Sequence, residues 1–302
     1  MRHRMTRLLK PASCAKGVGL GLVVALIVCV ATPGALSAQT RPPQVKSPRL
    51  YVFDCGVLVR GEPTAYNLTS AQVGGNTNFS DACFLIVHPR GTLLWDVGII
   101  PDAQITPGGV EIPAGRGGNA NKASKTLKGQ LAAIGYAPRD ITYLAVSHNH
   151  ADHTANANDY AASTWLVQKA EHDLMFSDQA RKQANFANYS ALEHSKTVLL
   201  EGDHDVFGDG SVMLISTPGH TPGHQSLLVK LQKTGPILLT GDLYHYAAER
   251  TLKTLPNGDK KEQTAASRAK VDDLLQKTGA QLWIQHDIVG NAKLKKSPQY
   301  YE

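Results

Sequence analysis

The chain has 302 residues, 42% of them apolar and 19% charged, enough for one large domain with a sizeable core. Its formal net charge of +6 does not point to nucleic acid, because residues 1–38 hold five basic residues (Arg2, Arg4, Arg7, Lys10, Lys16) and no acidic one. Without these five, the 31 basic residues fall to 26 against 25 acidic, and no basic stripe with interleaved aromatics is present.

From the N-terminus, the basic residues precede an apolar run over 18–31, and small residues follow at Ala35, Ser37 and Ala38. This is the pattern of a secretory signal peptide, expected over 1–38. The run is shorter than the roughly 20 residues a membrane span needs, so cleavage and release are expected, with no stable span afterwards. The mature protein is then periplasmic or secreted. Residues 39–47 read as a linker, and 48–302 as a single domain. Cys14 and Cys29 leave with the signal. Cys55 and Cys83 remain, in the strand-like runs "YVFDCGVLV" and "ACFLIVHP". An exported compartment permits a disulfide between them; two buried thiols are the alternative.

"RLYVFDCGVLV" predicts a strand, and "ACFLIVHP" with "GTLLWDVG" a hairpin turning at Pro89, Arg90 and Gly91. The glycine-rich stretch 105–122 predicts a loop, either a plain connection or a lid over a site. "ASKTLKGQLAAIGY" places Leu127, Leu131 and Ile134 on one helical face and stops at Gly135. "ITYLAV" and "TWLVQ" read as strands, residues 169–194 as polar and helix-prone. "KTVLLE", "SVMLIST", "HQSLLVKL" and "PILLTGD" read as strands, residues 261–278 as a helix, and "QLWIQHD" as the last strand. Strands first and then mixed elements imply two sheets covered by helices.

Four of these strands run straight into metal-binding side chains. "SHNHADHTAN" holds His148, His150, Asp152 and His153. Alternation along an extended backbone points His148 and His150 the same way, so two imidazoles can share one ion. Asp152 and His153, where the chain turns, can face a second. "STPGHTPGHQS" adds His220 and His224, "LLTGDLYH" adds Asp242, and "LWIQHD" adds His286. No CxxC pair and no GxSxG elbow is present, so neither a thiolate site nor a serine nucleophile is indicated. His3, His88, His172, His194 and His204 lack a partner pattern and read as ordinary surface or core histidines.

The ordered set HxHxDH, TPGHTPGH, TGD and a late histidine resembles the metallo-β-lactamase fold superfamily. "LYVFDCG", "CFLIVHPRGTLLWDVG" and "LTGDLYH" look most like its N-acyl-homoserine lactonase group. The resemblance spans 48–302. It implies an α/β fold, an αββα sandwich of two mixed β-sheets flanked by helices, with metals at one edge. It also implies that His148, His150 and His220 hold one metal, that Asp152, His153 and His286 hold another, and that Asp242 bridges them. Two divalent ions, zinc before iron, cobalt or manganese, suit nitrogen and carboxylate ligands. The implied activity is hydrolysis of the lactone ring of N-acyl-homoserine lactones, the reaction of quorum quenching. In it a metal-bridging hydroxide attacks the carbonyl and Asp152 passes a proton to the leaving oxygen. The alternative keeps the fold and changes the substrate to another ester, lactone or β-lactam. Asp96 and His224 are expected behind the ligands. Relatives place a tyrosine three residues after the bridging aspartate; here that position is His245, with Tyr244 beside it, and both are carried as substrate-contact candidates. The pattern often reads DHxG, whereas this chain has Ala155. A homodimer through residues 64–79 follows only by analogy.

Overall fold

The computed structural model describes residues 44–114 and 118–302; the signal-peptide reading of 1–38 falls outside them. The first sheet takes β1 (Arg49–Arg60), β2 (Phe79–His88), β3 (Gly91–Trp95), β4 (Val110–Pro113), β5 (Gly118–Ala123), β6 (Tyr143–Ala145), β7 (Thr164–Gln168) and β8 (Thr197–Leu200). The second takes β9 (His204–Asp205), β10 (Val212–Ser216), β11 (Gln225–Leu231), β12 (Gly235–Leu239) and β13 (Gln281–Trp283); β14 (Tyr300–Tyr301) returns to pair with β1. The strand orders are β4-β5-β1-β2-β3-β6-β7-β8 and β13-β12-β11-β10-β9. Antiparallel and parallel pairs occur in both sheets, as β1–β2 and β6–β7 in the first and β10–β11 and β12–β13 in the second.

The layers follow from which faces are apolar. Between the sheets, Leu50, Val52, Phe84, Ile86 and Trp95 meet Leu214, Leu227, Val229, Ile237 and Leu239. On the outer face of the first sheet, Leu85, Leu94, Leu144 and Trp165 pack on Leu127 and Leu131 of α1 (Leu127–Ala133) and on Tyr160 and Tyr189. On the outer face of the second, Ile215, Leu228 and Leu238 pack on Val271, Leu274 and Leu275. A strand with both faces covered reads as a near-continuous apolar run, and β2, buried at all ten positions, is apolar from Ala82 to Val87. The result is the expected αββα sandwich.

One expectation is corrected. The glycine-rich stretch is not a loop: β4 and β5 pair antiparallel, and β5 pairs with β1 from Val57 to Arg60. Val110 and Ile112 lie opposite the buried Ala123 and Asn121, alternating with the exposed Glu111 and Lys122, and this alternation lets the stretch add to the open edge of β1 despite its glycines. The strands β1 and β2 are also joined by the Cys55–Cys83 disulfide, Cα–Cα 5.9 Å, where a bulge between Asp54 and Gly56 shifts the register.

His88, at the end of β2, is a buried structural histidine. Its ring stacks on Phe207 at 4.1 Å; the Arg90 N–H donates to Nδ1 at 3.1 Å, and Nε2–H donates to Asp209 at 2.9 Å. These bonds require the neutral ring, and burial lowers its pKa below the ordinary 6.5 in spite of Asp209.

Two outcomes follow. Leu227→Ala, at 0% exposure between the sheets, should cost about 2–5 kcal/mol in urea unfolding, and Leu199→Ala, 48% exposed, under about 0.5 kcal/mol. Similar losses at both would contradict the packing. For His88, the folded value lies below the unfolded one, so the unfolded chain binds more protons. The stability held by the neutral ring is complete above about pH 6.5 and falls as pH drops below it. Urea midpoints from pH 7 to 5 should therefore decline less steeply in His88→Asn; equal slopes would exclude the assignment.

Candidate metal centre

The strand ends converge at one edge of the sandwich. There the backbone N–H of Gln225 donates to Ser147 O, and its side-chain amide to Val146 O, both at 3.0 Å, so β11 is tied to the end of β6. The TGD turn needs its glycine. Gly241 has φ +51, and a Cβ there would lie 2.7 Å from Ser147 Cβ and 2.8 Å from His224 Nε2. Gly223, in TPGHTPGH, passes so close to the helix start at Glu171 that a Cβ would meet its backbone nitrogen at 2.3 Å.

The structure brings together all seven side chains singled out as ligand candidates, in two groups. His148, His150, His220 and Asp242 form one; Asp152, His153 and His286 form the other. Asp242 faces both. Its Oδ2 lies 3.6 Å from His148 Nε2 and 3.4 Å from His220 Nε2. Its Oδ1 lies 3.1 Å from His153 Nε2 and 3.0 Å from His286 Nε2. Asp152 Oδ2 is 3.5 Å from His286 Nε2 and 3.9 Å from His153 Nε2.

This arrangement fits two cations. His150 Nδ1 lies 2.8 Å from His148 Nε2 and 3.0 Å from His220 Nε2, so three ring nitrogens crowd one point. One ring N–H can bridge one such pair, but a cation among them satisfies all three nitrogens at once. In the other group, His153 Nε2 and Asp242 Oδ1 are buried without a hydrogen-bond partner among the described residues. With Nδ1 as the donor, Nε2 and Oδ1 are two acceptors 3.1 Å apart, costly in a low-dielectric interior unless a positive charge lies between them. A set of neutral imidazoles and carboxylates with no thiolate suits zinc and also iron, cobalt or manganese.

Oxygens behind the rings fix which nitrogen faces inward. His153 Nδ1–H donates to Asp96 Oδ2 at 2.9 Å, His220 Nδ1–H to Asp259 Oδ1 at 3.0 Å, and His286 Nδ1–H to Ser80 O at 2.9 Å. Each leaves Nε2 free for the centre. Asp96 also accepts from Ser147 N at 2.6 Å and from Gln285 Nε2 at 2.7 Å, and holds φ 54, unusual for a non-glycine residue. His224 differs: Nδ1–H donates to Thr217 O at 3.0 Å, and Nε2 accepts from Asp242 N at 2.9 Å. Both nitrogens are committed, so it positions Asp242 and has no lone pair left for a metal. From the protein charges alone, burial and the His153 charge push the His148 pKa well below its ordinary value. Burial opposes charge on His153 too, but Asp242, Asp96 and Asp152 outweigh it and raise its pKa well above normal.

The centre floors a cavity of about 430 Å³ whose walls include Tyr66, Phe79 and Ile99, with Arg60 and Asn121 as polar members. Asn121 comes from β5, so the misread glycine-rich stretch borders the site as a strand. His245 reaches this cavity; Tyr244 does not. Tyr244 is buried among Ile215, Leu238 and Val271, under the Arg268 guanidinium at 4.2 Å. The backbone at Tyr244 is extended, so neighbouring side chains point to opposite sides and only one can enter the cavity. The substrate-contact assignment of Tyr244 is therefore withdrawn. Ala155 is unstrained in a right-handed conformation, φ −54, where a glycine is not required.

Sequence reading missed three acidic supports. Glu171 is buried and accepts from Asn149 N at 2.8 Å, Thr221 Oγ1 at 2.8 Å and Gly223 N at 2.9 Å, clipping the HxH turn to the TPGH loop. Asp259 backs His220, and Glu249 lies behind His245. Asp81 is also buried without a partner for either oxygen among the described residues, and burial, reinforced by Asp152, raises its pKa well above the usual range.

A family model described as the metallo-beta-lactamase superfamily matches residues 77–274. Among curated relatives, an N-acyl homoserine lactonase AttM of Azorhizobium caulinodans is 30% identical over 268 residues, covering 84% of this chain and 98% of that one. An N-acyl homoserine lactonase of Bacillus cereus is 28% identical over 238 residues, covering 78% and 92%. A solved N-acyl homoserine lactone hydrolase, with its product N-hexanoyl-L-homoserine at the catalytic metal centre, superimposes with a TM-score of 0.68 at 24% identity, covering 85% of this chain and 100% of that one. A dizinc quorum-quenching lactonase, AidC, does so at 0.60 and 17%, covering 86% and 96%. With this sandwich, this edge site and these matches, the chain belongs to the metallo-beta-lactamase superfamily and groups with its N-acyl homoserine lactonases.

Proposed function

We propose that this protein is an exported hydrolase with two divalent ions, zinc first among them, that opens the lactone ring of N-acyl-homoserine lactones. The observation that carries the reading is the single buried carboxylate, Asp242, whose two oxygens face two separate groups of ligand candidates at the floor of a cavity. The relatives' printed activities supply the substrate class. Bound there, the ions would supply Lewis acidity toward an ester carbonyl and acidify a shared water.

The chain's own residues do the rest. His148, His150 and His220 would hold one ion and Asp152, His153 and His286 the other, with Asp242 shared. Asp152 lines the cavity beside His150 and His286, which places it to hand a proton to the departing ring oxygen. Tyr66, Phe79 and Ile99 give an acyl chain an apolar wall and keep water from it. Export rests on residues 1–38, and the Cys55–Cys83 disulfide supports an oxidising compartment. No helix among the described residues is long and apolar enough to cross a membrane. A homodimer through residues 64–79 belongs to the same reading, and light scattering of the purified protein tests it.

Metal-replete protein should hydrolyse N-acyl-homoserine lactones and lose activity on chelation. Asp152→Asn should lower kcat on the order of 10²–10⁴-fold with both metals kept, and His220→Ala should lower the metal content itself. Full metal loading with turnover of a chromogenic cephalosporin but of no lactone would replace the proposal with the β-lactamase alternative. Expressed in a bacterial host, the full chain should appear in the periplasm or medium with a new N-terminus near residue 38; uncleaved cytoplasmic protein would count against export.

A further inference from the structure

His245 sits three residues after Asp242, and nothing above gives it more than a place in the cavity wall. Its Nε2 lies 3.2 Å from Asp242 Oδ2. That is the same oxygen that faces His148 and His220, and His245 is nearer to it than either. The His245 ring centroid is 5.2 Å from that of His220, close to the 4.7 Å between His148 and His220. Tyr66 at 4.5 Å and Phe79 at 5.8 Å pack against the ring and hold it toward the centre.

The far side of the ring also has a buried acid beside it, as behind His153 and His220, although at 3.5 Å Nδ1 makes no hydrogen bond among the described residues. Nδ1 of His245 faces a buried carboxylate, Glu249 Oε1, at 3.5 Å. That oxygen also accepts the backbone N–H groups of His245 at 2.8 Å and Tyr246 at 3.0 Å, while Glu249 Oε2 takes Arg268 Nη2 at 2.5 Å. Glu249 is thereby fixed by three hydrogen bonds and presents its carboxylate to the ring. Imidazoles that bind metals are backed in this way by a carboxylate or carbonyl that sets the tautomer and raises ligand basicity. His224 supplies the contrast: it too adjoins Asp242, but both its nitrogens are already bonded.

We propose that His245 is a further metal-ligating side chain, giving the His148–His150–His220 group a fourth imidazole with Glu249 as its backing carboxylate. This rests on the reading that the centre holds divalent cations, and it requires no particular substrate. The test reads metal binding alone. Full-length, signal-cleaved protein is loaded with cobalt(II), its visible absorption recorded, and the metal withdrawn by a competing chelator. His245→Phe fills the volume without a lone pair, His245→Gln guards against a folding failure, and Tyr244→Phe is the neighbouring control.

The parent should bind two cobalt ions. His245→Phe should lose one of them on the order of 100-fold more readily, with a changed visible spectrum, and Glu249→Gln about 10-fold more readily. Tyr244→Phe should match the parent. An unchanged spectrum and chelator resistance in His245→Phe and His245→Gln would overturn the inference while leaving the two-metal reading intact. Weaker retention with an unchanged spectrum would also overturn it, showing that His245 only hydrogen-bonds Asp242. A parent that binds no cobalt would overturn both readings.

Discussion

A carboxylate buried beside five imidazoles is the constraint around which the rest is arranged. Asp242 has almost no exposure, and burial alone would raise its pKa. The charges of His286, His153, His148 and His245 reverse that and hold it well below the ordinary range. Removing a carboxylate from water costs several kcal/mol unless opposite charge and hydrogen bonds replace the solvent. Here the replacement comes from four loops at one edge of two sheets. The sandwich must therefore bring the ends of β6, β10, β12 and β13 to a common edge within a few ångströms. The Gln225 bonds to Val146 and Ser147, which lock that edge, are part of the site as much as of the fold.

The supports behind the ligands are themselves mostly buried acids. Asp96, Glu171, Glu249 and Asp259 each spend their oxygens on backbone N–H groups, hydroxyls or ring nitrogens. An acid used this way is held by fixed dipoles and does not need a counter-ion of its own. Glu171 shows the cost: burial raises its pKa even with three hydrogen bonds to Thr221, Gly223 and Asn149. Glu249 falls the other way because His245 and Arg268 add positive charge to its hydrogen bonds. The two carboxylates differ in partner and not in depth.

The parts legible in the sequence were those written contiguously. HxHxDH, TPGH, TGD and the last histidine each follow an apolar strand, so strand, turn and ligand are read in one pass. Glu249 lies only four residues after His245, but Glu171 and Asp259 are single acids, one in a helix and one in a turn, with no spacing that marks them; Asp259 meets His220 39 residues away and Glu171 meets Thr221 50 away. Only the tertiary fold brings them in. Tyr244 was misread because one residue of slip along an extended segment exchanges the cavity for the core. The β4–β5 pair was misread because glycine and asparagine argue for a loop, whereas the unpaired edge of β1 offered hydrogen bonds that outweigh that propensity.

The same charge balance ties metal and proton together. With protein charges alone, Asp242, Asp96 and Asp152 raise the His153 pKa well above its ordinary value, although burial opposes it. A proton on Nε2, 3.1 Å from Asp242 Oδ1, then does part of the work that a cation would do. Asp96, by fixing Nδ1 as the other donor, ensures that Nε2 is where that exchange occurs. A cation entering this group must displace that proton, because a ligating nitrogen has to be neutral. Proton and metal thus compete for one buried nitrogen that faces Asp242.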